Sequence, residues 1–327
     1  MKRQSVLHPV LSKRNPHERD CQLVFDEPTH KYSILCDPDS NYTSVTTWNH
    51  SHFPEFNADA IIDKMMNGPG WKPGHKYWGQ TAEEIKQSWA TNGASASAGG
   101  TTMHFDIECF MNQELVDEND QTLEYAHEDL LQIYNEEIRD GVLAPNLSEE
   151  WDFFIQFVQD FPHLKPYRTE WMIYHEDLKL AGSIDMVYEN PDGTLMIYDW
   201  KRAKEITKYN LFNQHAVTQC IHYLPDTNFW HYSLQLNTYK AIIEAKYNKK
   251  VTGLFLVRLH PNNKNKTYDL IPCAEISKEV DALFALRALT LAQLAQSQSQ
   301  SQTQSQTQSQ KKDETEKKPK KIYKKRV

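Results

Sequence analysis

Residues 182–204 read GSIDMVYENPDGTLMIYDWKRAK, two β-type runs joined by an Asn-Pro-Asp-Gly turn. A strand alternates its side chains between two faces. Asp199 and Lys201 therefore share one face, and Trp200 lies on the other. Across an antiparallel hairpin the partner strand brings Asp185 alongside them, and Gly182 leaves room nearby. The apolar neighbours make this sheet at least half buried, where carboxylates and a lysine cost free energy. A bound cation would offset that cost. Two converging carboxylates are hard oxygen ligands suited to Mg²⁺ or Mn²⁺, and a lysine beside them can orient water or stabilise a phosphorane-like charge. Metal-assisted phosphodiester hydrolysis requires such an arrangement. An isolated Asp-x-Lys is also a common cross-strand ion pair, so the assignment depends on its context.

The chain has 327 residues, enough for one large domain or two ordinary ones. No run approaches the length of a membrane span, and the first twenty residues lack the apolar segment of a secretory signal. The five cysteines are scattered with no close pair. A zinc ribbon and a disulfide framework are therefore not expected, and a reducing compartment fits. The net charge of −8 hides an asymmetry: residues 311–327 carry nine Lys/Arg and three Asp/Glu, +6, which leaves −14 on the rest. An acidic body fits carboxylates that serve metals, or basic residues that are grouped locally.

Along the chain, residues 1–20 read as a flexible arm. HKYSILCDPDSNYTSVTTW suggests two short strands around a turn. TAEEIKQSWATNG opens with a capping box, Thr81 to Glu84, and is expected to stop at Gly93. A small-residue stretch follows, with helical spacing resuming near Thr101. Helices are expected over about 122–138 and over 149–160, the second capped by Ser148. The period then changes: three strand-like runs fill 168–201, separated by turns at HEDLK and NPDG. HYSLQLNTYKAIIEAKYN reads as an amphipathic helix, VTGLFLVRLHP and YDLIPCAEI as strands, and about 277–294 as a closing helix. This order implies an α/β or α+β class. Residues 295–327, a Ser/Thr-Gln repeat followed by a basic stretch, are expected to be disordered.

Other polar residues fall at telling spacings. His104 and Glu108 are four apart in TTMHFDIE and share a helix face. Glu170 opens the strand before the hairpin. Gln235 and Tyr239 are four apart on the following helix. Each has an ordinary alternative: a core or surface histidine, a solvated strand end, a half-buried polar pair. Together, the ordered set GTTMHFDIE, GSID, DWK and QLNTY resembles the RecB-like branch of the PD-(D/E)XK nuclease superfamily. Ile184 stands where the superfamily name has proline, a usual variation in this branch. ASAGGTTMHFDIE and HFPEFNADAIIDKMMNG also look like exonuclease-like proteins of large DNA viruses.

The resemblance implies a restriction-endonuclease-like core: a mixed central sheet whose antiparallel meander carries the site, flanked by helices. It would occupy residues 21–294, including an N-terminal helical extension. His104, Asp185 and Asp199 would be metal ligands, with the Trp200 carbonyl completing the shell. Lys201 would position the attacking water. Glu108 and Glu170 match acidic positions of variable role. Gln235 and Tyr239 would brace the site or contact the DNA backbone. The expected cofactor is Mg²⁺ or Mn²⁺, two ions. Some relatives carry an iron–sulfur cluster, but only Cys220 and Cys273 follow the hairpin, so no cluster is expected.

Arg202, Lys204 and Lys208 follow the catalytic strand and could grip phosphates; a solvated basic patch is the ordinary alternative. Trp71, Trp78 and Trp89 either stack on unpaired bases or pack in a core. The repeat resembles sites for DNA-damage kinases or is a simple soluble linker. KKPKKIYKKR resembles a nuclear-localisation stretch or a nucleic-acid tether. The expected function is a metal-dependent DNA exonuclease of replication, recombination or repair, located in the nucleus or cytoplasm of a host cell and not secreted. The alternatives are an endonuclease or RNA-directed enzyme of the same fold, and a non-catalytic nucleic-acid-binding protein.

Overall fold

The computed structural model describes residues 10–117, 119, 122–142 and 146–316, with side chains as far as residue 297. The chain forms two compact units, Met1–Val280 and Asp281–Val327. The first is an α/β unit around a mixed six-stranded sheet. The described residues begin with α1 (Val10–Arg14), the hairpin of β1 (Leu23–Asp26) and β2 (Lys31–Ile34), the two-residue β3 (Thr43–Ser44), which is the first strand of that sheet, and three helices: α2 (Val45–His50), α3 (Ala58–Met66) and α4 (Ala82–Met111). Then follow α5 (His127–Arg139), α6 (Glu149–Asp160), β4 (Lys165–His175), β5 (Leu180–Glu189), β6 (Leu195–Lys201), α7 (Asn228–Lys246), β7 (Val251–Arg258), β8 (Asp269–Pro272) and α8 (Ser277–Glu316). Among the described residues, no helix is long and apolar enough to cross a membrane.

The three-stranded meander expected from the sequence is β4–β5–β6, antiparallel throughout. β6 then pairs in parallel with β7, and β7 antiparallel with β8. β4 covers one edge of β5 along its whole length. The other edge is shared: β3 pairs with Leu180 and Ala181, and β6 pairs with Met186 to Glu189. The four residues between, GSID, have no strand partner on that edge. This notch in the sheet holds the candidate site.

Several boundaries differ from the sequence expectation. Instead of stopping at Gly93, α4 is one helix of 30 residues. Its capping box forms as expected, with Thr81 Oγ1 accepting from Glu84 N and Glu84 returning to Thr81 N. Each interior glycine costs about 1 kcal/mol relative to alanine, but no proline interrupts the segment, and alanines at 94, 96 and 98 lead up to Gly99 and Gly100. The second strand expected in NYTSVTTW is cut to two residues, because Ser44 Oγ accepts from Thr47 N and starts α2 instead.

The arm expected over residues 1–20 is packed where it is described. Val10 and Leu11 are buried in the main core with Met111 and Tyr125. Asn15 Nδ2 donates to the Tyr167 carbonyl at 2.8 Å, and Asp20 accepts from Arg168 at 2.8 Å and from Trp171 at 3.1 Å. Residues 1–9 lie outside the described residues. The closing helix, expected over about 277–294, runs to Glu316. Serine, threonine and glutamine do not force a break, and the first proline beyond is Pro319. The basic stretch from residue 317 lies outside the described residues.

Trp151, Phe154, Phe157, Tyr188, Tyr198 and Trp200 form the centre of the main core. His127, at the start of α5, is buried beside it, with Nε2 2.8 Å from the Tyr188 hydroxyl. Burial holds its pKa down at about 3. In the unfolded chain the ring titrates near 6.5, so between those values the unfolded state binds the extra proton. The stability this residue contributes is complete above about pH 6.5 and is lost as pH falls toward 3, by up to about 1.4 kcal/mol per pH unit. In urea unfolding from pH 7 to 4.5, His127→Gln should lose about 2 kcal/mol less than wild type across that window. Parallel losses in the two proteins would show that His127 does not sense the acid.

Candidate active site

The β5–β6 ladder ends at the Met186–Tyr198 pair. One step on, Asp185 and Asp199 face one another, and the ladder is replaced by a side chain: Asp185 Oδ2 accepts from Trp200 N at 3.1 Å. β6 keeps its pairing with β7 as far as Lys201 opposite Arg258. The strands thus part at the carboxylates. The alternation of β6 follows the sequence reading. Trp200 turns into the core, its ring centroid 5.7 Å from Phe154 and 5.6 Å from Phe157. Asp199 and Lys201 turn the other way, with Lys201 Nζ 2.6 Å from Asp199 Oδ2. Burial pushes the Asp199 carboxyl above its usual range, even though the lysine beside it favours the charged form. Burial opposes the Lys201 charge, but Asp199 and Asp185 outweigh it and hold the ammonium above its ordinary value.

α4 delivers His104 to this point. Its Nε2 lies 2.9 Å from the Trp200 carbonyl. A carbonyl only accepts, so Nε2 carries the proton, and in the neutral ring the Nδ1 lone pair is free. Nδ1 lies 3.5 Å from Asp185 Oδ2 and 3.9 Å from Glu170 Oε1. In this structure the Trp200 carbonyl therefore orients the imidazole, the position from which a backbone carbonyl typically supports a metal-binding histidine. Its expected place in a metal shell would need a second lone pair.

Glu170 is drawn into the site by β4. The register sets it opposite Asp185, between the pairs Thr169–Met186 and Trp171–Ile184. Its backbone sits at φ 43°, in the left-handed region. For a non-glycine residue inside a strand this is strained, and such strain is held only where surrounding structure fixes it. Ser183 Oγ donates to Glu170 Oε2 at 2.9 Å. Burial, then the charges of Asp185, Glu108 and Asp199, push the Glu170 carboxyl well above the carboxylate range. Burial also raises Glu108.

His104, Glu170 and Asp185 bring one ligand atom each within 4.8 Å of one another. The sequence expectation set Asp199 beside His104 and Asp185; the atoms that group here are those of His104, Glu170 and Asp185, and Asp199 pairs with Lys201. The donors fit a divalent cation. Carboxylates of Glu170, Asp185 and Asp199 gather beside the charged Lys201, and their mutual repulsion adds to burial in raising Glu170.

α7 closes the site from below. A Cβ on Gly182 would lie 2.8 Å from Tyr239 Cε1 and 3.1 Å from its hydroxyl. The room left by Gly182 is therefore taken by Tyr239, which is 3% exposed. That burial packs Tyr239 against Gly182 and suits the bracing role expected of it better than contact with the DNA backbone. Gln235 donates to Thr46 Oγ1 at 2.9 Å and to Tyr239 at 3.3 Å, tying α7 to α2. One turn earlier, the Tyr232 ring lies 4.6 Å from Lys201 Nζ. Sequence reasoning missed Tyr232; its position three residues before Gln235 was the available signal.

Arg202 was expected at the phosphates. Its Nε donates to Glu150 Oε1 at 2.6 Å, and its guanidinium lies against Gly99, where a Cβ would meet Cζ at 3.1 Å. The arginine locks α4 and α6 to the end of β6, which the sequence did not reveal. Lys204 and Lys208 are exposed. Of the tryptophans, Trp78 is exposed, the Trp71 ring lies tilted against it with centroids 5.7 Å apart, and Trp89 donates to Tyr77 at 2.9 Å. None of the three is in the buried core.

A family model of the PD-(D/E)XK nuclease superfamily matches residues 76–322. The chain belongs to this superfamily, and the six-stranded mixed sheet with its flanking helices is consistent with a restriction-endonuclease-like fold. Membership makes the protein a metal-dependent nuclease, with DNA as the implied substrate. Among curated proteins, none matches the chain.

Proposed function

We propose that the protein is a Mg²⁺- or Mn²⁺-dependent DNA exonuclease of the RecB-like branch, serving replication, recombination or repair of a large viral genome. The observation that carries the reading is the meeting of Glu170, Asp185, Asp199, Lys201 and His104 at the notch between β3 and β6. Asp185, Glu170 and His104 Nδ1 are the groups placed to hold a cation, with Asp199 beside them. Bound there, a divalent cation supplies charge stabilisation at the scissile phosphate and lowers the pKa of water. The chain's own part is positional and electrostatic. Lys201, held charged by two carboxylates, holds water and stabilises charge developing on phosphate oxygens. Tyr232 and Asp199 fix its ammonium. Glu108 keeps the pocket acidic. Gln235 and Tyr239 keep the floor of the notch rigid.

Two features support the RecB-like branch. The histidine arrives on the helix before the meander, and a Gln/Tyr pair on the helix after it reaches back to GSID. The partly exposed Trp71 and Trp78, with Phe56 and Trp89, suit stacking on unpaired bases. Trp89 and His104 lie about 22 Å apart along α4, a span of about six stacked nucleotides at 3.4 Å each. Residues 295–327 stand outside the catalytic domain in this reading, and the stretch from residue 317 acts as a nuclear address or DNA tether.

The experiment is a DNA-cleavage assay on protein stripped with EDTA and restored with Mg²⁺ or Mn²⁺. Activity should vanish and return. His104→Ala should need at least about 10-fold more Mg²⁺ for half-maximal activity, with Mn²⁺ recovering part of the loss, because a nitrogen donor is gone. Unchanged metal dependence in folded His104→Ala would remove the histidine from the metal site.

A further inference from the structure

Between β6 and α7 the chain makes a 26-residue connection, residues 202–227, and exposes large apolar side chains at its tip. Tyr209 is 83% exposed, Leu211 96% and Phe212 79%. A loose loop would need no explanation, but this backbone is held on both sides. Thr207 N donates to Asn228 Oδ1 at 3.0 Å, Asn228 Nδ2 to the Glu205 carbonyl at 2.6 Å, and Trp230 Nε1 to the Lys208 carbonyl at 3.1 Å. On the return side, His215 bridges Pro225, and Asp226 N donates to the Gln214 carbonyl at 2.9 Å. Within the tip, Asn210 Oδ1 accepts from Phe212 N at 2.8 Å while its Nδ2 reaches the Asp226 carbonyl at 2.6 Å. Asn213 follows at φ 53°. An Asx-type turn thus holds Leu211 and Phe212 in water on a preformed backbone. Adjacent exposed apolar side chains on a fixed backbone mark an interaction site.

The surrounding charge identifies the partner. In KRAKEITKYNLF, residues 201–212, Lys201 and Arg202 are paired with Asp199 and Glu150, but Lys204 and Lys208 are exposed beside the single acidic residue Glu205, in a chain whose net charge is −8. The base of the tip is also close to the chemistry. Its anchors, Asn228 and Trp230, lie on the first turn of α7, and Tyr232, against Lys201 Nζ, is about 6 Å further along the axis. Apolar side chains that follow two exposed lysines suit a base stack, because Leu and Phe can wedge between base steps while Lys204 and Lys208 neutralise phosphates beside them.

Resting on the nuclease reading above, we infer that the 209–212 tip is a wedge that enters the base stack at a duplex end and parts the terminal base pairs ahead of the site. The test uses the full chain and Leu211→Ser/Phe212→Ser, which alters only solvent-exposed side chains. With Ca²⁺ in place of Mg²⁺, blunt duplexes carry 2-aminopurine, whose fluorescence rises on unstacking, in the last base pair. Wild-type protein should raise the signal about 3-fold, and the double variant should leave it near that of free duplex. With Mg²⁺, the variant should cut blunt duplex at least about 10-fold more slowly, yet cut a duplex with a pre-frayed end within about 2-fold of wild type.

Retained fluorescence and blunt-end rates would overturn the wedge, as would equal losses on blunt and frayed ends. Loss of self-association in sedimentation, with every DNA readout unchanged, would make the tip a protein contact and overturn it too. If wild-type protein cuts no DNA but the fluorescence result holds, the nuclease reading fails and the wedge stands.

Discussion

Asp185→Ala, Asp199→Ala and Lys201→Ala should each lower DNA cleavage by at least about 100-fold while the protein stays folded. The expected loss follows from the geometry at the end of β6. Asp185 and Lys201 bear on charge at the reacting phosphate, and removing one preorganised charge from a buried site typically costs 10²–10³ in rate, about 2.7–4 kcal/mol. Asp199 acts through the 2.6 Å pair that keeps Lys201 in place. Folding should survive, since the carboxylates repel one another and removing one relieves that repulsion. The variants also separate the carboxylates. If Asp185 holds a cation directly and Asp199 mainly fixes Lys201, raised Mn²⁺ should rescue Asp185→Ala more than Asp199→Ala. Circular dichroism and thermal melting establish folding first. A folded Asp199→Ala protein cutting at the wild-type rate would remove the hairpin from the chemistry.

Covalently closed duplex circles should resist the enzyme, while linear DNA of the same sequence is degraded to short products, with a rate difference of at least about 100-fold. In the proposed reading an unpaired strand is what enters the notch, and the partly exposed aromatic group around Trp71 and Trp78 and the 209–212 tip are the elements suited to receive it. In a closed circle no terminus is available to enter, and unstacking an internal base pair costs a few kcal/mol. Agarose gels of the two substrates, with relaxed and supercoiled circles run side by side, give the answer. Efficient nicking of closed circles by pure protein would favour a structure-specific endonuclease of the same fold. Absence of any metal-dependent cutting, with DNA binding retained, would favour a binding protein.

The hairpin was legible because its signals are local. Period-2 alternation placed Asp199 with Lys201, and Asn-Pro-Asp-Gly marked the turn, where Gly193 takes φ 80°. The i, i+4 spacing gave the shared face of His104 and Glu108 in the same way. Features that depend on distant partners were hidden. Nothing near Glu170 announces a left-handed strand residue, since its place is fixed by Ser183 and Asp185 on the next strand. Arg202 reads as a phosphate ligand until Glu150, 52 residues earlier, is seen to hold it. Gly93 reads as a helix stop because local propensity cannot weigh the contacts that His104 makes with the end of β6 and that Gly99 makes with Arg202. Val10 and Leu11 look like an arm because, among the described residues of that segment, two apolar side chains enter the core, at points supplied by α4 and its neighbours.

The unbroken course of α4 constrains how this segment can change. ASASAGG looks like a tether of free length, rich in residues that tolerate replacement. In the helix it is the shaft between the Trp89 end and the His104 end. One residue inserted there would turn the two ends against each other by about 100° and lengthen the shaft by about 1.5 Å. His104 would then leave the carboxylates, or the aromatic group would swing to another side of the molecule. The stretch is therefore permissive in composition away from the Gly99–Arg202 contact and rigid in count. Drift in such a segment should proceed by exchange of small residues and not by gain or loss of length.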